Sequence, residues 1–225
     1  LPLHHDMGLV GGLLASLPAA HDLVLMDPAC FVLRPVSWLD ALTRHRATST
    51  AAPNFALAVT CERVPDAQLR RRRVDLSSVR ALYDGAEPVR PLTVRRFEER
   101  FREHGLAPGA VRPVYGLAEA TLIVTSPKER GLAVRDLGGF EVPSVGAPLG
   151  DFELRIVEPG TERDAAAGAT GEILLRGASL FSGYHQDAAA TREAMASGWL
   201  RTGDLGMVAD GELYVTGRLK DLLIV

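Results

Sequence analysis

In the run GWLRTGDLG (198–206), Asp204 sits between Gly203 and Gly206. Read as a turn, this run leaves the carboxylate exposed. One carboxylate can accept from both vicinal hydroxyls of a ribose through charge-assisted hydrogen bonds; a plain Asp in a type I turn is the alternative. The run PVYGLAEATLIV (113–124) sets Tyr115 and Gly116 ahead of Glu119 and Thr121. Tyr115 can stack on an aromatic base, Glu119 suits a hard cation such as Mg2+ that takes carboxylate, phosphate and water oxygens, and Thr121 can donate to a phosphate. A surface loop with a helix-starting Glu fits the same residues. In LYDGAEPVRP (82–91) a strand runs into a turn at Gly85, Ala86 and Glu87, where backbone can approach a flat ligand and read a base edge. A plain tight turn fits there too. In TGRLKD, Arg218 and Lys220 are expected on one strand face by period-two alternation. His4, His5 and Asp6 are consecutive, so their side chains are expected to diverge and to make a poor metal site.

Positioning these groups requires strands that end in loops. Candidate strands at Asp22–Met26, Val79–Tyr83 and Pro113–Tyr115 alternate with candidate helices at Val36–His45, Pro53–Arg63 and Leu92–His104. Met7–Leu17 reads as a helix buried on most sides, and Asp27-Pro28 as a turn. Ser37 is a candidate cap, Pro53 suits a first helical turn, and Gly105 suits a helix end. This alternation predicts a mostly parallel sheet flanked by helices. After Thr125 the pattern changes to short antiparallel strands at Phe152–Val157, Gly171–Arg176, Met207–Val208 and Glu212–Thr216, with a hairpin turn at Asp210-Gly211 and one helix near Ala188–Ala196. The expected class is α/β, with a smaller β-rich, barrel-like portion following: residues 1–125, then 126–217, then a hinge at 218–225.

Composition limits the function classes. Hydrophobic residues make up 47% and charged residues 24% of the 225, as in ordinary globular chains. The net charge of −3 gives no footprint for nucleic acid, and Arg70–Arg73 reads as a solvated helix end or loop. The two cysteines, Cys30 and Cys61, follow no metal spacing. No apolar run reaches the roughly 20 residues that span a bilayer, and a cytoplasmic setting is the default.

Six stretches in order, LPLHHDMGL, APNFALAV, YDGAEPVRP, VYGLAEATL, GWLRTGDLG and TGRLKDLLIV, resemble the adenylate-forming superfamily of acyl-CoA synthetases, peptide-synthetase adenylation domains and luciferases. The HDMG, GAEPV and YGLAEATL stretches resemble fatty acyl-AMP ligases most. The resemblance covers essentially the whole chain and implies part of the large N-terminal domain of such enzymes. It also implies ATP-dependent conversion of a fatty or related acid to acyl-AMP with release of pyrophosphate, then transfer to the phosphopantetheine thiol of an acyl carrier protein. By that resemblance Gly85, Ala86 and Glu87 line the adenine site, with Tyr115 and the adjoining Gly116 against the base. Glu119 holds Mg2+ and Thr121 serves the phosphates. Asp204 and Arg218 hold the ribose, His5 lies near the acyl carboxylate, and Lys220 is the pivot of a small C-terminal domain.

The pattern has departures. Ala118 stands where the superfamily often has Thr, as it does in fatty acyl-AMP ligases. Asp84 stands where Asn is common. Only Ser126–Ser144 separates YGLAEATL from VGAPLG, where fatty acyl-AMP ligases usually carry an insertion associated with disfavouring CoA. A CoA-using synthetase and an inactive nucleotide-binding module are the alternatives. Gly8, Gly11, Gly12, Leu13 and Phe55 are candidate walls of an acyl tunnel, or ordinary core. The resemblance implies a phosphate loop upstream of LPLHHDMGL and a lysine-bearing domain downstream of LLIV, neither of which is in these 225 residues, and the chain is expected to be an internal fragment of a larger enzyme.

Overall fold

The computed structural model describes residues 1–221, and the chain forms two compact units. The expected lead into a further domain at Leu222–Val225 lies outside the described residues. The first unit comprises residues 1–113 and 129–133. It contains a short helix α1 (Asp6–Gly8) that continues as a π-helical stretch, Leu9–Leu14, followed by α2 (Pro28–Leu33) and α3 (Val36–Arg44). Strand β1 (Ser49–Ala52), α4 (Asn54–Arg63) and α5 (Asp66–Arg72) come next. Strand β2 (Ala81–Asp84), α6 (Pro91–Phe101) and β3 (Val111–Pro113) complete the unit.

Strands β1, β2 and β3 form a parallel sheet in that order, with Ala52 paired to Asp84 and Asp84 to Pro113. Each parallel step needs a crossover, which α4 with α5, and then α6, supply. Helix α6 places Val94, Phe97 and Phe101 at helical spacing, and all three are fully buried with Leu39, Leu57 and Leu82. Gly105, at φ +84, closes the turn after α6 as expected.

Several expectations are corrected. Asp22–Met26 is not a strand, and Leu23, Val24 and Leu25 are exposed. The strand in that part of the chain is β1, whose Ser-Thr-Ala-Ala sequence lacks the branched apolar run that marks strands; its pairing with β2 makes it one. The Met7–Leu17 region is helical to Ser16, one residue short of the expected end, but Leu9, Leu14 and Leu17 are exposed instead of buried. Asp27-Pro28 begins a helix: Asp27 Oδ1 caps α2 by accepting from Ala29 N–H at 2.8 Å. Ser37 is not a cap, because Pro35 occupies that position, and Pro53 precedes α4 without entering it. The four arginines end α5, where Arg73 is left-handed at φ +52.

The second unit comprises residues 114–128 and 134–225, of which those to 221 are described. Strands β4 (Tyr115–Gly116), β5 (Ile123–Ser126) and β8 (Ala147–Pro148) make one antiparallel sheet. Strands β6 (Val134–Asp136) and β7 (Glu141–Pro143) pair with each other. The largest sheet runs β11-β12-β10-β9, with β13 also on β12. Its strands are β9 (Glu153–Val157), β10 (Gly171–Arg176), β11 (Met195–Ala196), β12 (Trp199–Ala209) and β13 (Glu212–Arg218), and α7 (Ala188–Ala194) precedes β11. Asp210 and Gly211, both with positive φ, make the β12–β13 hairpin turn. The α/β class with a β-rich second portion is therefore observed. The strand expected at Met207–Val208 is the end of the much longer β12, which takes in most of GWLRTGDLG. Arg218 ends β13, whereas Lys220 lies in a 3-10 turn, Leu219–Asp221, so the two do not alternate along one strand.

Candidate functional site

In the first unit, an apolar cavity of about 480 Å3 is walled by the start of the chain, the 23–32 segment, β1, the start of α4 and the turn after β2. Gly8, Gly11, Gly12 and Phe55 line it, as do His5, Ala86 and Glu87, whereas Leu13 does not. Gly8 is fixed by space: a Cβ there meets the Pro2 carbonyl oxygen at 2.2 Å. His5 caps α1, and its Nδ1 lies 3.1 Å from the Met7 amide and 2.7 Å from Asp6 Oδ1. The expected divergence of these consecutive side chains is thus overturned for His5 and Asp6, because both turn back on the same helix start. Still, no group of three His, Cys, Asp or Glu side chains suited to a metal occurs among the described residues.

The Gly85–Glu87 turn leaves β2 beside the start of α4. Gly85 is buried, Ala86 and Glu87 are exposed, and Ala86 takes a left-handed φ of +69. Glu87 Oε1 accepts from the Phe55 amide at 2.5 Å, so the turn is fastened to α4. Behind it Asp84 is fully buried and accepts from Asn54 Nδ2 at 2.7 Å. Burial pushes the Asp84 carboxyl up to about 7, against the bond from Asn54 and with the added charge of Glu87. Asn54 carried no signal in the sequence beyond its place at a helix start.

In the second unit, Asp204, Tyr115 and Arg218 come together from β12, β4 and β13. Tyr115 Oη donates to Asp204 Oδ2 at 2.8 Å, and Arg218 Nε donates to Asp204 Oδ1 at 2.7 Å. Asp204 is only 7% exposed, which corrects the expected exposed turn. It lies on a strand because β12 bulges there. Between the register pairs Glu172↔Leu205 and Leu174↔Arg201, β12 carries extra residues, with Gly203 at φ +69. Thr202, which sequence reading passed over, accepts from the Asp204 amide at 3.0 Å. Burial and the neighbouring Asp204 charge push the Tyr115 phenol well above its ordinary value, so it stays a donor. Asp204 in turn raises Arg218, mainly through their hydrogen bond.

Glu119 stands on a tight 3-10 turn, Ala118–Ala120, between β4 and β5, and Thr121 is the residue that closes it. Gly116 is required by packing, since a Cβ there meets the Leu122 carbonyl oxygen at 1.8 Å. The segment after β10 wraps this turn. Phe181 N–H donates to the Glu119 carbonyl at 2.7 Å, Thr121 Oγ1 to the Ser179 carbonyl at 2.8 Å, and Tyr184 Oη to Glu119 Oε1 at 2.8 Å. Thr121 is held at φ +70, a conformation β-branched residues rarely take. Tyr184 was missed, and only an aromatic flanked by Gly183 hinted at it. Glu119 Oε2 takes no protein hydrogen bond among the described residues, and a half-buried carboxylate with one oxygen open suits a cation whose other ligands are phosphate and water. Lys220 is exposed.

The AMP-binding enzyme family matches residues 1–185. The chain is 40% identical over 257 aligned positions to a long-chain-fatty-acid–AMP ligase of Mycobacterium bovis, covering all of this chain and 43% of that protein. Its fold superposes on the fatty acid AMP ligase of Legionella pneumophila with a TM-score of 0.93 and 36% identity, covering 100% of this chain and 43% of the other. A fatty acyl-adenylate ligase of the same organism, in complex with acyl adenylate and pyrophosphate, superposes with a TM-score of 0.91 at 36% identity, again over 43% of its length. The chain therefore spans under half the length of the relatives it matches.

Proposed function

We propose, since this chain belongs to the AMP-binding enzyme family, that it serves the ATP-dependent activation of a fatty or related lipophilic acid. In this reading an oxygen of the acid attacks the α-phosphorus of ATP. The bond to the β-phosphate oxygen breaks, and pyrophosphate leaves with the electron pair, giving acyl-AMP. The acyl carbon then bonds to the phosphopantetheine sulfur of an acyl carrier protein, the thiol proton is lost and AMP departs. Such chemistry rests on alignment and charge neutralisation. The observation that carries the reading is the apolar cavity, which has His5 on one wall and Ala86 and Glu87 on another. One cavity thus offers an apolar lining for an acyl chain beside the turn read for adenine. The named relatives, fatty-acid–AMP ligases, support the acid class.

His5 orients the acid's carboxylate, Gly85, Ala86 and Glu87 border the adenine, and Tyr115 with Gly116 lies against the base. Asp204 accepts from the ribose hydroxyls on lone pairs left over from its bonds to Tyr115 and Arg218. Thr121 serves the phosphates and Glu119 holds Mg2+, which when bound neutralises phosphate charge. Lys220 is a hinge, the working boundaries are 1–125, 126–217 and 218–225, and the setting is cytoplasmic. The test is acid-dependent ATP–pyrophosphate exchange in the protein from its complete reading frame. Asp204→Ala and Glu119→Ala are each expected to lower it by about two orders of magnitude, the scale of a lost charge-assisted contact. Exchange at the wild-type rate in either variant removes that assignment.

A further inference from the structure

Asp84 is a residue that the proposed chemistry leaves without a task. It ends β2, one residue before the Gly85–Glu87 turn, and is fully buried. Its Oδ2 accepts from Asn54 Nδ2, while Oδ1 is buried and takes no hydrogen bond among the described residues. An ionised carboxylate has several lone pairs to satisfy, and burying one with a single hydrogen bond is costly. A neutral acid fits the same site better: Oδ2 is the carbonyl that accepts from Asn54, and Oδ1 carries the proton. Three residues on from Asp84, Glu87 accepts from the Phe55 amide. Asn54 and Phe55 are the first two residues of α4. Two carboxyl groups from one turn therefore hold one helix start, and Phe55, Ala86 and Glu87 are also cavity walls.

We propose that Asp84 is a positioning residue that works as a neutral carboxylic acid, keeping the Gly85–Glu87 turn fastened to α4 in the form that accepts the nucleotide. Its ionisation buries a charge that only Asn54 answers, beside the charge of Glu87, and loosens the turn. The groups that face it are few. Asn54 from α4 is uncharged, as are Ala52 and Pro113, its register partners on β1 and β3. Glu87 is the charged neighbour, and no cation among the described residues offsets it. Burial brings the carboxyl to about 7, which places the change near neutral pH.

The inference rests on the nucleotide reading of this turn, and the experiment separates the two. AMP binding to the protein from its complete reading frame is measured by calorimetry from about pH 5.5 to about pH 8.5, for wild type and Asp84→Asn. Asn keeps the acceptor for Asn54 and cannot ionise. The ratio of wild-type to Asp84→Asn affinity is expected to fall as pH rises through about 7, approaching tenfold per unit at most, because the titration of AMP's own phosphate at about 6 is common to both proteins. The same fall in both proteins overturns this inference and leaves the nucleotide reading standing. A wild type that binds no AMP at any pH overturns both. A 13C NMR titration of the wild-type carboxyl needs neither variant nor nucleotide: titration near 7 supports the proposal, and a carboxyl already ionised at about pH 5 overturns it.

Discussion

Asp204 holds two partners at once, a neutral donor from a strand 89 residues away and a cation from the adjoining strand of its own hairpin. Its bond to Tyr115 is buried, whereas the Arg218 side chain is 67% exposed. Glu119 is held differently, with one oxygen on Tyr184 and the other without a protein hydrogen bond among the described residues. Burial, then the bond to Glu119 and its charge, raise the Tyr184 phenol, so it remains a donor across the neutral range. Tyr184→Phe is therefore expected to leave the fold intact and free Glu119 to move. The lost bond to a charged group at a partly exposed site is worth about 1 kcal/mol, or about fivefold in exchange rate. Metal affinity, read by Mn2+ electron paramagnetic resonance with nucleotide present, should weaken in parallel. An unchanged Mn2+ affinity means Tyr184 has no part in placing Glu119. The residue types at these positions were legible from the run YGLAEATL, but Tyr184 was not, because nothing in sequence spacing links it to a turn 65 residues earlier.

The elements explain why those side chains are held where they are. The β4–β5 hairpin closes so tightly that Gly116 leaves no room for a Cβ, and the Glu119 turn sits at its tip. Gly116→Ala must push the Leu122 backbone away. We expect a loss of about 3 kcal/mol or more in stability, on the scale of overpacking against backbone, measured by denaturant unfolding. A loss within about 0.5 kcal/mol contradicts the close approach. In β12 the bulge at Thr202–Asp204 turns a strand residue toward Tyr115 and Arg218, which a strict two-residue period does not do. Helices with clear apolar periodicity, such as α3 and α6, were readable to within one or two residues apart from the final 3-10 turn after α6. The Leu23–Leu25 run was misread because apolar composition does not tell whether a neighbour covers it, and here those residues face the cavity and solvent.

For the whole molecule, the proposed function sets an expected preference between acyl acceptors, and an assay tests it. Offered CoA and a phosphopantetheine-bearing carrier protein in parallel, the protein from its complete reading frame is expected to favour the carrier by about tenfold or more, a difference of ~1.4 kcal/mol. Acyl-CoA formed as fast as acyl-carrier protein overturns that preference. The sequence by itself determined the family, because six short stretches agree in type and order, and it determined the α/β-then-β arrangement, because hydrophobic period follows secondary structure. Only the tertiary structure decided that Asp204 is buried with Tyr115 and Arg218, that the loop after β10 braces Glu119 and Thr121, and that Asp84 lies behind its turn on Asn54. These depend on which strands pair and where a strand bulges. Pairing is set by contacts between residues far apart in the chain, and no local pattern of residue types records it.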